Sequence, residues 1–122
     1  MKSEKPNSEF RLLHDCYNLY YMILKITEDN HRFRYTTNQH ILRTVVSVGS
    51  NIAEGNAFKG KQRQRFFNIA KGSIEELKFQ IGLYSLDVEF HDRLIDLIDK
   101  ISAILYKLGV RSSENRSSEV GS

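Results

Sequence analysis

Gly55, four intervening residues and then Gly60-Lys61 reproduce most of a phosphate-binding loop, in which the backbone amides of a glycine-rich turn cradle phosphates and a lysine neutralises them. That chemistry needs two more parts. A strand must precede the loop so that its amides converge, and a hydroxyl must follow the lysine to hold magnesium. Here Gln62 stands in the hydroxyl's place and a helical pattern precedes the glycine. Gly55 and Gly60 therefore read as the end of one helix and a turn into the next, and no nucleotide cofactor is expected.

Other reactive side chains are sparse. Glu54 could act as a general base, but that work needs a partner group, and no His or Cys stands at a telling spacing from it. Pairing with Arg43 or Lys59 is the simpler role for this acid. His14, His31, His40 and His91 form no i, i+4 pair and do not make a zinc-site pattern with Cys16, so no metal site is expected. With a single cysteine there is no disulfide framework, which suits a reducing compartment. The expectation is a protein that is not an enzyme and has no cofactor.

The cations are better organised. Between Asn30 and Lys71 eight basic side chains face one acid, Glu54, so this stretch carries +7 and the remainder of the chain −4. Such asymmetry makes one side of a small domain attractive to polyanions. Arg32, Arg34, Lys59, Lys61, Arg63 and Arg65 are the candidate phosphate contacts. The alternative is a solvated face balanced by acids folded nearby.

Periodicity supplies the elements that hold these residues. Phe10, Leu13, Tyr17, Tyr20 and Leu24 predict a helix from Glu9 to about Asp29, capped by Ser8. Ile41, Val45, Val48 and Ile52 predict a second, from about Thr37 to Asn56, capped by Thr36 or Thr37. Arg43 is its only charged side chain between Thr36 and Ala53, so protein should cover most of its circumference. Phe66, Ala70, Ser73, Leu77 and Tyr84 mark a third helix; Leu94, Ile98, Ile101, Leu105 and Leu108 mark a fourth, with Gly109 as its stop. The segment after it, RSSENRSSEVGS, has almost nothing apolar and is expected to be disordered. Tyr17, Tyr20, Tyr21 and Tyr84 read as core or interface residues.

Gly72 poses a local conflict, because Gly72-Ser73-Ile74-Glu75-Glu76 resembles a helix stop followed by a capping box. The third stripe nevertheless stays in phase through it. One continuous helix is expected, with Gly72 admitting a close neighbour and Gly49, Ser50 and Ala53 as the matching small residues. Ser50, Asn51, Glu54 and Ser73 would then form a hydrogen-bonded network that fixes the register of the two helices.

Two ordered motifs carry a resemblance. SVGSNIAEG, residues 47–55, and FFNIAKGSIEELKFQI, residues 66–81, resemble the bacterial four-helix-bundle proteins encoded in intervening sequences of the 23S ribosomal RNA gene. That family is in turn similar to the accessory variability determinant of diversity-generating retroelements. The shared pattern falls on Ser50, Asn51, Glu54 and Gly55 in the second helix, and on Gly72, Ser73 and Glu76 in the third. Gly49 replaces the family's usual proline, and its basic residue just after the glycine is missing until Lys59. The resemblance implies ring-like homopentamers, with nucleic acid as a partner of the retroelement relatives.

These observations converge on an all-α chain: an antiparallel up-and-down four-helix bundle over residues 9–109, a flexible N-terminus over 1–8 and a disordered tail over 110–122. At 122 residues and 14.2 kDa it is one domain. No apolar run could span a membrane, and a cytoplasmic setting is expected. The expected function is a homo-oligomer, pentameric by resemblance, that binds RNA or DNA through its basic surface. The alternative is an oligomer that recruits an acidic protein partner.

Overall fold

The computed structural model describes the backbone of residues 8–30 and 35–121 and the side chains of residues 9–30 and 35–109. Four helices account for nearly all of it: α1 (Ser8–Asp29), α2 (Tyr35–Ala57), α3 (Gly60–Ile81) and α4 (Val88–Gly121). Each helix packs on two others, α1 on α2 and α4, and α3 on α2 and α4. The four therefore stand around a square. Along α1 and α2, Thr27 meets Asn38 while Cys16 meets Gly49, so residue numbers fall on one helix as they rise on the other. Ser47 with Ser73 and Gly55 with Phe67 show the same opposite sense for α2 and α3. These two pairs run antiparallel, and the two-residue and six-residue connections around α3 are consistent with the same sense throughout.

The core is mostly aliphatic. Leu12, Cys16, Leu19, Ile23 and Ile26 supply it from α1; Ile41, Val45, Val48 and Ile52 from α2; Leu94, Ile98, Ile101, Leu105 and Leu108 from α4. The stripes expected for α2 and α4 are the buried ones. For α1 the expected stripe is displaced by one row: Phe10 is 61% exposed and Tyr17 66%. Both rows have helical spacing, so periodicity alone could not choose between them. The aliphatic row goes inside, while each tyrosine can keep its hydroxyl in water. On α3 the expected stripe is buried at Ala70, Ser73 and Leu77, and only its first member differs: Phe67 is completely buried while Phe66 is half-buried.

Helix ends also depart from expectation. Thr36 and Thr37 lie within α2, so neither is its cap. The boundary between α3 and α4 falls at residues 82–87, where the Asp87 carboxylate accepts the Phe90 amide at 3.2 Å and caps α4. Gly109 does not stop α4, whose backbone continues to Gly121; a glycine inside a helix costs about 1 kcal/mol of propensity but does not by itself end it. The expected tail side chains, the N-terminal seven residues, and Arg32 with Arg34 lie outside the described residues.

At the end of the bundle holding the α3–α4 connection, a buried polar cluster ties three segments together. The Tyr84 hydroxyl donates to Asn38 Oδ1 at 2.6 Å, and Asn38 Nδ2 donates to the carbonyls of Thr27 at 3.2 Å and Asn30 at 3.4 Å. Those carbonyls belong to the end of α1, where intrahelical partners run out. Tyr84 is buried as expected, but it acts from the connection rather than from α3.

Candidate nucleic-acid interface

The corner between α2 and α3 is built from the glycine-and-lysine stretch. Gly55 lies in the last turn of α2, and the ring of Phe67 lies directly over it. Gly60 makes the turn: its φ of +62° lies in the left-handed region that glycine enters without a Cβ penalty. Lys59 occupies the cap position of α3 with no side-chain hydrogen bond to the first turn. The first amides of α3 thus project from a helix end that no side chain caps, the positive end of the helix dipole.

Arg63 is not available to a phosphate, contrary to expectation. Its Nε donates to the carbonyls of Gly55 at 3.1 Å and Phe58 at 2.9 Å, and its Nη2 to that of Asn56 at 3.3 Å. Nη2 also lies 2.7 Å from Glu9 Oε1 of α1. The guanidinium therefore satisfies the carbonyls at the end of α2, which has no basic residue in its own last turn, and ties the start of α1 to the same corner. Phe58 and Phe66 stack beside it with ring centroids 5.6 Å apart.

Lys59, Lys61 and Arg65 remain exposed, and among the described residues none of them has a carboxylate partner. Lys61 and Arg65 line a shallow depression on the outer face of α3 together with Gln64 and Asn68. The Gln64 amide donates to Asn68 Oδ1 at 3.3 Å, which orients two more polar groups along that face.

The small-residue motifs are placed differently from expectation. Nothing lies within 4 Å of a Cβ built on Gly72, which faces solvent. The close approach of α2 and α3 occurs at Gly55 instead, where the inward position faces a phenylalanine. Gly49, Ser50 and Ala53 border a groove with α1, not α3.

The register of α2 and α3 is fixed by Ser47 and Ser73, whose hydroxyls are 2.8 Å apart, with Asn51 Nδ2 donating to the Ser47 carbonyl at 2.8 Å and hydroxyl at 3.2 Å. Asn51 and Ser73 are in the network as expected; Ser50, Glu54 and Glu76 are exposed and outside it. Ser47 was the missing member, and its position one turn before Asn51 was the available signal. Glu54 forms no ion pair with Arg43 or Lys59 among the described residues.

This corner lies wholly inside a recognised sequence family. The family model for 23S rRNA-intervening sequence proteins matches residues 8–107. The chain belongs to that family. No curated protein matches it significantly. In this 23S rRNA-intervening sequence protein the matched span runs from the first residue of α1 to Lys107 of α4, so it includes the corner and all of the core described above except Leu108. No helix among the described residues is long and apolar enough to cross a membrane.

A second polar-aromatic feature had no place in the sequence reading. Lys71 Nζ of α3 lies 5.7 Å from the ring centroid of Tyr106 on α4, and that ring is 64% exposed. The sequence signal was Tyr106-Lys107 on the side of α4 away from its leucine stripe.

Proposed function

We propose that this protein is a non-enzymatic, cytoplasmic homo-oligomer that binds nucleic acid at the α2–α3 corner. The observation that carries the reading is the set of exposed, carboxylate-free cations Lys59, Lys61 and Arg65 around the uncapped start of α3. Exposed cations and the free amides of a helix start favour phosphate oxygens, and phosphates supply a large part of the affinity of nucleic-acid binding. Glu54 supports the non-enzymatic part: it is exposed and has no second acid–base group positioned against it among the described residues.

Oligomerisation is supported by a groove between α1 and α2. It is lined by Tyr17, Tyr21, Val46, Gly49 and Ala53 among others, and none of its lining side chains is charged. Val46 is 50% exposed, so α2 is not covered by its own chain to the degree its lack of charge suggests. A second copy, in the pentamer implied by the resemblance, is the proposed cover. Each added subunit would repeat the basic corner and multiply weak phosphate contacts.

Replacing Lys59, Lys61 and Arg65 together by Gln tests the reading by mobility shift over a range of salt. The expected result is weaker binding to unrelated sequences alike and a slope of log K against log salt reduced by about 2 to 3 per corner engaged. Equal affinity and equal slope would overturn it. Capture of an acidic protein by wild type alone, with no nucleic acid bound by either, would favour a protein-recruiting oligomer.

A further inference from the structure

On the face of the bundle between α3 and α4 there is a groove lined by Lys71, Glu75 and Lys78 from one helix and Ala103, Tyr106 and Lys107 from the other. Its charge is mostly of one sign. Glu75 is held by Lys78 at 3.2 Å, which leaves Lys71 and Lys107 without a carboxylate partner among the described residues. The Tyr106 ring lies beside the small Ala103 and is mostly exposed, with the Lys71 ammonium near it. The core of α4 is completed by Leu105 and Leu108, and packing within the chain does not account for an aromatic ring at position 106.

An exposed ring flanked by ammonium groups is the combination that holds an unpaired nucleotide: the ring stacks a base and the cations take the adjoining phosphates. Within a duplex the bases stack on one another and their faces are out of reach of such a ring. Lys71 and Lys107 stand on the two helices that wall the groove, so cations can meet a strand from both sides. Lys71 over the ring also adds positive charge next to the face on which a base would stack.

We propose that the α3–α4 groove binds single-stranded nucleic acid, with Tyr106 stacking one base and Lys71 and Lys107 contacting the phosphates on either side. It rests on the nucleic-acid reading above but uses a different surface. The groove and the α2–α3 corner share helix α3, where the Lys71 ammonium and the Gln64 amide both approach Gly109 of α4. One strand leaving a structured region held at the corner could continue into the groove.

The test uses the full chain with Tyr106→Ala and Tyr106→Phe, titrated against short oligo-uridylate and oligo-adenylate strands and against an RNA duplex of equal length. Tyr106 is exposed, so both variants should keep the wild-type melting temperature. Tyr106→Ala is expected to weaken single-strand binding about tenfold and duplex binding little, while Tyr106→Phe keeps wild-type affinity because the ring remains. Tyr106→Trp adds an independent readout: the chain contains no other tryptophan, and its emission should be quenched by the single strand. Wild-type affinity in Tyr106→Ala overturns the proposal, as does an equal loss in Tyr106→Phe, which would place the effect on the hydroxyl. A smaller particle for Tyr106→Ala in light scattering also overturns it, because the ring would then be covered by a second copy. The two surfaces fail separately. Unchanged binding by the Lys59, Lys61 and Arg65 variant together with a loss in Tyr106→Ala overturns the corner and supports the groove; the reverse pattern overturns the groove alone.

Discussion

Gly55 of α2 lies so close under Phe67 of α3 that a Cβ on the glycine would stand 2.4 Å from Phe67 Cε1. Phe67 is wholly buried and cannot swing aside. Helix propensity favours Gly55→Ala by about 1 kcal/mol, but forcing α2 and α3 apart costs roughly 1 to 3 kcal/mol, so the variant should melt lower. Gly72 gives the opposite sign. With nothing within 4 Å of its Cβ position, Gly72→Ala should raise stability by about 0.5 to 1 kcal/mol. Thermal melts of the two single variants check both signs, and a lowered melt for Gly72→Ala would mean that another molecule packs there.

Those two glycines also show how far the sequence could be read. The bundle, its helix count and the continuity of α3 through Gly72 were legible because long 3.6-residue stripes survive one poor helix former. Which glycine takes the close contact was not, since it depends on which face of α2 turns towards Phe67. Rotation by one row is invisible when neighbouring rows are both apolar, as Leu12 and Leu13 or Cys16 and Tyr17 are on α1. The same limit explains the site. Charge density picked out Lys59, Lys61 and Arg65, which are exposed, but counting charges could not tell that Arg63 is folded inward onto three carbonyls and Glu9.

Arg63 therefore separates stability from binding. Its side chain is 17% exposed and serves the end of α2, so Arg63→Gln should destabilise by roughly 1.5 to 3 kcal/mol, the range for hydrogen bonds to a charged group. The Lys59, Lys61 and Arg65 side chains project into solvent, and their replacement should leave the melt within about 0.5 kcal/mol of wild type. Urea titration of both variants decides it. A stable Arg63→Gln protein with weakened nucleic-acid binding would return Arg63 to the phosphate-contacting set.

Cys16 supplies a pH dependence whose sign is fixed by burial. Removal from water, with a smaller contribution from the Asp15 charge, raises its thiol from 9.0 to about 12. The folded chain thus keeps a proton that the unfolded chain releases. Stability from this group is present in full below pH 9 and is lost as pH rises from 9 towards 12. Cys16→Ala should flatten the alkaline limb of a stability–pH curve, after allowance for the cavity it leaves. In native wild type the thiol should react slowly with an alkylating reagent at pH 8 and rapidly after unfolding in urea. Fast alkylation of the folded protein would show that the groove between α1 and α2 opens to solvent.

That groove is also where self-association can be tested without disturbing the fold. Val46 lines the groove beside the buried Val45, and half of its surface meets solvent within a single chain. A charge there costs little in a monomer. In an oligomer sealed over the groove it would be an unpaired buried charge, which costs several kcal/mol at each subunit contact. Val46→Glu should therefore keep the wild-type helical spectrum while shifting the particle to the 14.2 kDa of one chain in light scattering. Because multivalency amplifies weak phosphate contacts, its nucleic-acid affinity should fall at the same time even though Lys59, Lys61 and Arg65 are intact. A particle of unchanged mass would remove this groove from the subunit interface and leave the exposed face of α2 for some other partner.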